Sequence, residues 1–554
     1  MKKYIYVLIL SFGIVSCNDM LNSKEDIYLT DTMLDTQYKQ LFSFGYKAYS
    51  NVINGFSAID GNLFATVSDE AQYVTTVSDA QRFNEGSWNK FYNPNDFYTK
   101  GYQGIHDANF FLEYSIDYIN RLALNRDTVS TDNKRLYKDD ILDIQRLRAE
   151  VRVLRCYYYL ELIKRYGAVP LITKTAISVE EANLPREPVD KIVDFIGDEI
   201  DSSMVDLVSS WTVVGMPTKD GRVNQGVAMA IKARTLLYAA SPLFNPTNDK
   251  GKWQRAAASY YDLIKSGTYD LSSNYQSLFT GNITTSVAKE VIWAVRMGAT
   301  NDFERKNYPI ATPGGNTGIC PSQNLVSAYE RKTSNTNPYS GLDPRFAMSI
   351  VYNSATWTGR TMQIWAGGTD DPATKNASRT GYYLKKFLND NLNLVNDAKM
   401  NRNWIIFRYA DILLGYAEAM NEAYGPDNNN DNILTAREAL NKVRNRTGVA
   451  MPLVTVDIAP DYQSLKYKIK HERRIELAFE DYRYWDLCRW KDAGILLNQP
   501  LLGMKVIKNS DGSFTYNEFQ VAVRKFEAPK MFLFPIPQSE IIKTNGVVTQ
   551  NPEW

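Results

Sequence analysis

Apolar residues recur at three- and four-residue steps along much of this chain, and the recurrence predicts four pairs of amphipathic helices. The first pair is split: Leu41, Phe44, Ala48 and Val52 form one stripe, and Ile105, Ala108, Phe111 and Leu112 the other. Leu147, Val151, Leu154, Tyr158 and Leu162 mark the next helix, closed by Gly167 and Pro170 and partnered by Val189, Ile192, Val193, Ile196 and Ile200. Met229 to Ala240 and Trp253 to Leu263 make a third pair around the loop PLFNPTNDKG. The last spans Trp404 to Tyr424, with Ile406, Tyr409, Leu413, Tyr416 and Met420 on its stripe, and is followed by Ala436, Leu440, Val443 and Thr447. Repeated helix hairpins of this size predict a mainly α fold, a scaffold of four tetratricopeptide-like helix pairs whose neighbours bury each other's apolar faces.

Two stretches break the helical period. Residues 53–100 and 268–400 are rich in Gly, Asn, Ser, Thr and Pro, with short strand-like runs such as VIWAV at 291–295. Long insertions in a repeat scaffold are functional or disordered, and disordered segments are poor in aromatics. Trp88, Phe91, Tyr92, Tyr308, Trp357, Trp365, Tyr382 and Tyr383 all lie in these two, so they are expected to be ordered and functional. The chain then divides into a leader over 1–16, an N-terminal region over 17–267 with the inserted loop 53–100, and a C-terminal region over 268–554 with inserted loops over 268–400 and the final helical repeat.

The leader carries Lys2 and Lys3, an apolar run from Tyr4 to Val15, and then Ser16 and Cys17. At ~1.5 Å of rise per residue that run falls short of the ~30 Å hydrocarbon core, and the pattern is that of a secretory signal. Ile14-Val15-Ser16-Cys17 resembles a loose bacterial lipobox, in which cleavage leaves Cys17 as an acylated first residue. Several acyl chains hold a protein durably where one does not, so Cys17 is expected to anchor the body to a membrane through lipid alone.

Charge narrows the partners. The chain has 63 Lys+Arg against 62 Asp+Glu, and a formal charge of +1 offers no basic excess for nucleic acid. Beyond Cys17, the odd set Cys156, Cys320 and Cys488 has no CxxC spacing, which argues against a disulfide framework or a zinc site. Only His106 and His471 are present, without HExxH, GxSxG or a P-loop, and both histidines read as structural hydrogen-bonding residues rather than catalytic ones. No enzyme activity and no required cofactor are expected.

Calcium is one candidate ligand. DNNNDNILTARE, residues 427–438, places Asp427, Asn429 and Asp431 at the first, third and fifth positions of an EF-hand-like loop and Glu438 at the twelfth, with Asn432 where glycine is usual. The competing reading is an ordinary inter-helix loop in which Asp431 or Asn432 caps the following helix.

The motifs also have a family resemblance. RLRAEVRVLRCYYYLELIKRYGAVPLI at 146–172, LDPRF at 342–346, GYYLKKF at 381–387, RYADILLGYAEAMNEAYG at 408–425, ERRIELAFEDYRYWDLCRW at 472–490 and LFPIPQSEI at 533–541 resemble the SusD/RagB family of Bacteroidetes outer-membrane lipoproteins. The resemblance implies a surface-exposed glycan- or nutrient-binding lipoprotein on four tetratricopeptide-like units, seated as a lid on a SusC-like TonB-dependent transporter. An oligosaccharide or polysaccharide is the implied ligand, with peptide as the alternative on the RagB side. Read physically, 472–490 is one helix with Ile475, Ala478, Phe479, Tyr482 and Trp485 on a single face, a buried framework with satisfied charges.

Sugars present flat C–H faces ringed by hydroxyls, so their site needs aromatic planes edged by amides and carboxylates. Trp88, Tyr92, Tyr308, Trp357, Trp365 and Tyr382 are the candidate planes, and Asp69, Asn93, Asn95 and Arg360 the candidate polar edges. The alternative is that these indoles pack the insertions onto the scaffold.

Overall fold

A computed structural model describes residues 38–554 apart from 177, 179–180, 182, 212–213, 217–218, 282, 284–287 and 334–336. Cys17 and the leader lie outside the described residues.

The helix pairs form a continuous stack. Helix α1 (Lys39–Lys47) packs on α2 (Tyr98–Tyr114), and α2 on α3 (Thr131–Tyr166). Next come α4 (Val189–Ser203), α5 (Gln225–Ala240) and α6 (Lys250–Lys265), each against its predecessor. Then α7 (Tyr409–Tyr424) lies against α6, with α8 (Ala436–Arg444) and α9 (Tyr462–Glu476) against α7. This is the mainly α, four-pair scaffold the periodicity predicts.

Local chemistry sets the boundaries. Asn224 accepts from the Val227 amide to start α5, and Thr435 with Glu438 forms a capping box at α8. The first three turns of α3 are solvated, whereas from Asp143 onward the helix is almost wholly buried. Gly167 ends it at φ +70, where a Cβ would meet Leu533 at 2.9 Å. That left-handed turn sends the chain out along Val169 and Pro170.

Two predicted helices need correction. Trp404 to Arg408 do not open α7; they end strand β2 (Met400–Arg408), which pairs antiparallel with β1 (Val291–Thr300), Trp404 facing Val295 and Ile405 facing Ala294. Aromatic and β-branched residues buried on both sides of a strand leave no period to tell it from a buried helix. The segment 472–490 is likewise two helices, α9 and α10 (Arg483–Arg489), separated by Phe479 at φ +65 and Asp481 at φ +61. A phenylalanine in the left-handed region is a strained position that its surroundings must hold. Here Phe479 is fully buried and its amide donates to Glu70 Oε1 at 3.3 Å.

Charges in those motifs are satisfied over long range. Arg345 donates to Asp343, Glu472 and Glu476, and Arg408 to Glu290, Glu476 and Glu480. Arg446 joins Glu290 and Glu476, and Lys386 joins Glu480. The cluster is buried, and it clamps the insertion between β1 and β2 onto α9.

Candidate functional site: an aromatic shelf beneath a C-terminal hairpin

The C-terminal region carries a hairpin of β3 (Leu501–Lys508) and β4 (Phe514–Ala522), with Lys508 opposite Phe514 and Val506 opposite Tyr516. The turn residues Asp511 and Gly512 and the alternation of Phe514 and Tyr516 are the sequence signals for it. Met504 and Leu502 fasten the hairpin to the body, their amides donating to Thr380 O at 2.7 Å and Asn324 Oδ1 at 2.7 Å.

At the hairpin's turn end its aromatics meet the insertion. The Trp365 and Phe514 rings lie 5.0 Å apart, and Phe514 lies 6.3 Å from Tyr516, which in turn packs on Tyr339. All but Tyr339 are half-buried, so each keeps part of its ring in solvent. The Lys508 ammonium stands 5.0 Å over the Trp365 ring, on a solvated side chain that another group can displace. The same insertion carries a tight ion pair. Arg360 donates both guanidinium arms to Asp370 at 2.6 Å each, a bond that raises the arginine's pKa, and Asp370 also accepts from the Gln363 amide at 2.9 Å.

A second aromatic patch stands on the other insertion. Phe91 is 77% exposed and Tyr92 43%; the Tyr92 hydroxyl donates to Asp79 at 2.5 Å, and Arg82 stands 5.5 Å over its ring. Asn93 Oδ1 accepts from the Asn95 amide at 3.0 Å, and Asn95 donates its side-chain N–H to Ala58 O at 2.9 Å. The two patches are held by different insertions.

Four of the candidate planes are core residues instead. Trp88 is 2% exposed, stacked on Phe83 at 4.8 Å and edged by Phe534 and Trp554. Trp357 is fully buried; its indole N–H donates to Thr312 Oγ1 at 3.0 Å and its ring meets Tyr308 edge-on. Tyr308 is buried and donates to the Asn389 carbonyl, and buried Tyr382 donates to Gln323 Oε1 at 2.5 Å. Insertions this long need cores of their own, and large aromatics supply them. Asp69 is also buried. Burial raises its pKa, but Arg474 and Arg483, at 2.8 Å each, more than offset this and hold the carboxyl well below the usual range.

The calcium loop does not gather its oxygens. Both Asp427 oxygens accept from Arg437, at 2.6 and 2.8 Å, and Asn429 Oδ1 accepts from the Asp431 amide at 3.2 Å. Glu438 Oε2 accepts from the Thr435 amide at 2.8 Å. The helix cap is therefore Thr435, not Asp431 or Asn432, and the donor set does not fit a calcium ion. Of the histidines, His471 Nε2 lies 2.7 Å from Ala328 O, and His106 is on the surface beside Asp107.

A helical-repeat scaffold that carries long, ordered insertions with partly exposed aromatic patches defines the fold class. Residues 289–554 match the family model described as SusD family, and 19–235 the one described as starch-binding associating with outer membrane. A SusD-like protein of Formosa agariphila is 24% identical over 368 residues, 64% of this chain and 64% of the relative. A second from that organism is 26% identical over 62% of this chain and 66% of its own length, so the match spans just under two thirds of each relative. Among solved structures, a SusD-like protein from Bacteroides fragilis aligns with a TM-score of 0.77 at 23% identity, over 95% of this chain and 99% of that one. A laminarin-binding SusD-like protein aligns at 0.63 and 22%, over 93% and 99%. The chain belongs to the SusD/RagB family.

Proposed function

We propose that this protein is a lipoprotein of the outer-membrane surface that captures oligosaccharides on the Trp365 shelf and delivers them, as a lid, to a SusC-like TonB-dependent transporter. It is a binding protein and not an enzyme, in keeping with relatives named for carbohydrate and laminarin binding. The observation that carries the reading is the partly exposed run of Trp365, Phe514 and Tyr516, with the solvated Lys508 ammonium over the Trp365 ring. Such a run presents apolar planes to sugar C–H faces and a charged group to their hydroxyls. Phe91 and Tyr92, exposed on the other insertion, offer a second contact for a longer chain. The anchor in this reading is a lipid on Cys17, and among the described residues no helix is long and apolar enough to cross a membrane.

Binding of laminarin, starch and a peptide library to the purified protein tests the ligand. Saturable glycan binding that Trp365→Ala weakens tenfold or more is expected, whereas peptide binding alone would replace glycan by peptide. Protease accessibility on intact cells tests the anchor, since Cys17→Ala should remove the protein from the surface.

A further inference from the structure

A cleft of about 450 Å³ opens from solvent into the scaffold, lined by the C-terminal half of α3, helices α5 and α6, the Asp481 turn and the loop around Asn95. None of the shelf residues lines it. Its volume is within the range of about 300–1,000 Å³ typical of small-molecule sites. Five acidic and five basic side chains face it, so its wall is close to neutral.

Most of those charges are already paired. Arg234 donates to Asp411 at 2.7 Å and to Tyr482, and Glu161 takes both Lys164, at 2.5 Å, and Arg165. What is left over is a set of hydrogen-bonding atoms without protein partners: the Tyr260 hydroxyl, Arg165 Nε and Asn95 Oδ1, all buried. Orphaned buried polar atoms are rare in folded proteins and call for an explanation. The Tyr260 ring has little freedom to look elsewhere, because it lies against Gly415, where a Cβ would come within 2.5 Å of its hydroxyl. Asp481, on the cleft wall, adds a fourth group, its Oδ1 accepting from the Phe64 amide at 3.1 Å. Burial pushes that carboxyl up to about 7, so near neutral pH it both donates and accepts.

We propose that this cleft is a second binding site, apart from the shelf, for a neutral polyhydroxylated molecule of monosaccharide to disaccharide size, held by Tyr260, Asp481, Asn95 and Arg165. Neutrality follows from the wall: a charged ligand would bring an uncompensated charge among pairs that already balance. Hydroxyl groups suit the remaining atoms because each one donates and accepts, as an interleaved hydroxyl, carboxyl, amide oxygen and guanidinium N–H require.

The test titrates the purified full chain with glucose, galactose, mannose, maltose and cellobiose, and with acetate and glycine as charged probes. One or more of the sugars should saturate a single site, with affinity reduced tenfold or more by Tyr260→Phe and by Asp481→Asn and unchanged by Trp365→Ala. Tyr260→Phe removes a hydroxyl that bonds nothing in the protein, so its melting temperature should not fall; asparagine tolerates the left-handed backbone of position 481. Failure of every sugar to saturate, saturation by acetate or glycine alone, or sugar binding indifferent to both cleft variants overturns the proposal. Crystals soaked in the same sugars give a reading that needs no variant: sugar density in the cleft is expected, and ordered water alone refutes it. Loss of binding only in Trp365→Ala would support the shelf and remove the cleft site.

Discussion

Arg408, the last residue of β2, donates from Nη1 to Glu476 Oε1 at 2.7 Å, across 68 residues of chain and at the centre of a buried charge cluster. Glu476 also accepts from Arg345 and Arg446. Burial favours its neutral form, but these three guanidinium groups outweigh that and hold the carboxyl far below its ordinary value. Asp343 and Arg345 come from LDPRF, Lys386 from GYYLKKF, Arg408 from RYADILL, and Glu472, Glu476 and Glu480 from ERRIELAFED. Motifs scattered through the C-terminal half thus converge on one electrostatic joint. Glu476→Gln leaves three arginines facing a neutral amide, and removing one partner of a buried pair costs about 3–5 kcal/mol. Urea unfolding at neutral pH measures it; a loss under about 1 kcal/mol would mean that the cluster relaxes or hydrates around the gap.

Exposure separates the indoles into two experimental classes. Trp365→Ala should cost less stability than loss of a fully buried indole and weaken oligosaccharide binding by about 1–3 kcal/mol, tenfold to more than a hundredfold. Trp88→Ala and Trp357→Ala should instead lower stability by about 3–5 kcal/mol, because each opens a cavity among rings that cannot close over it. Melting curves beside binding isotherms make the distinction. A Trp365→Ala protein that unfolds would make the shelf a piece of core.

The helix pairs were legible because a 3.6-residue period survives wherever one helix face is solvated, as in α1, α4 and α6. It vanished at Trp404–Arg408, where every side is buried and only the pairing with β1 tells strand from helix. The family motifs could be recognised in the sequence, yet nothing in it says that Arg345 and Glu472 touch. The site was half legible. Composition selected aromatic insertions, but Trp88 and Trp365 look alike in sequence, and only the rings packed around each decide which one faces water. Phe514 and Tyr516 escaped notice although their alternation and the Asp511-Gly512 turn mark a hairpin.

Calcium should do nothing to the 427–438 loop. Asp427 is engaged by Arg437 and Glu438 by the Thr435 amide, so binding an ion would have to break an ion pair and a capping box. Melting temperature in millimolar calcium should equal that in chelator, because only a ligand that prefers the folded state raises it. Thr435→Ala should cost about 1 kcal/mol through loss of the cap. An upward shift of several degrees with calcium would restore the ion-binding reading.

Glu70 gives the protein a predictable pH dependence. Its side chain is buried beside Asp69, Oε1 accepting from the Phe479 amide while Oε2 has no partner among the described residues. Burial first, and then the negative charge of Asp69, push its carboxyl up to about 8 from an ordinary 4.5. Between those two values the folded protein holds a proton that the unfolded chain has released. Stability from this group is therefore complete below pH ~4.5 and declines as pH rises to ~8, since the state binding more protons is disfavoured as they become scarce. Glu70→Gln keeps the acceptor for Phe479 and cannot ionise. Its stability relative to the parent should be unchanged near pH 5 and should rise steadily towards pH 8; the contribution of the similarly raised Asp481 is common to both proteins and cancels. Urea midpoints for the pair across that range decide it. A difference that stays constant with pH would mean that Glu70 is ionised in the fold, its charge stabilised by Arg483 and Arg474 more strongly than burial opposes it.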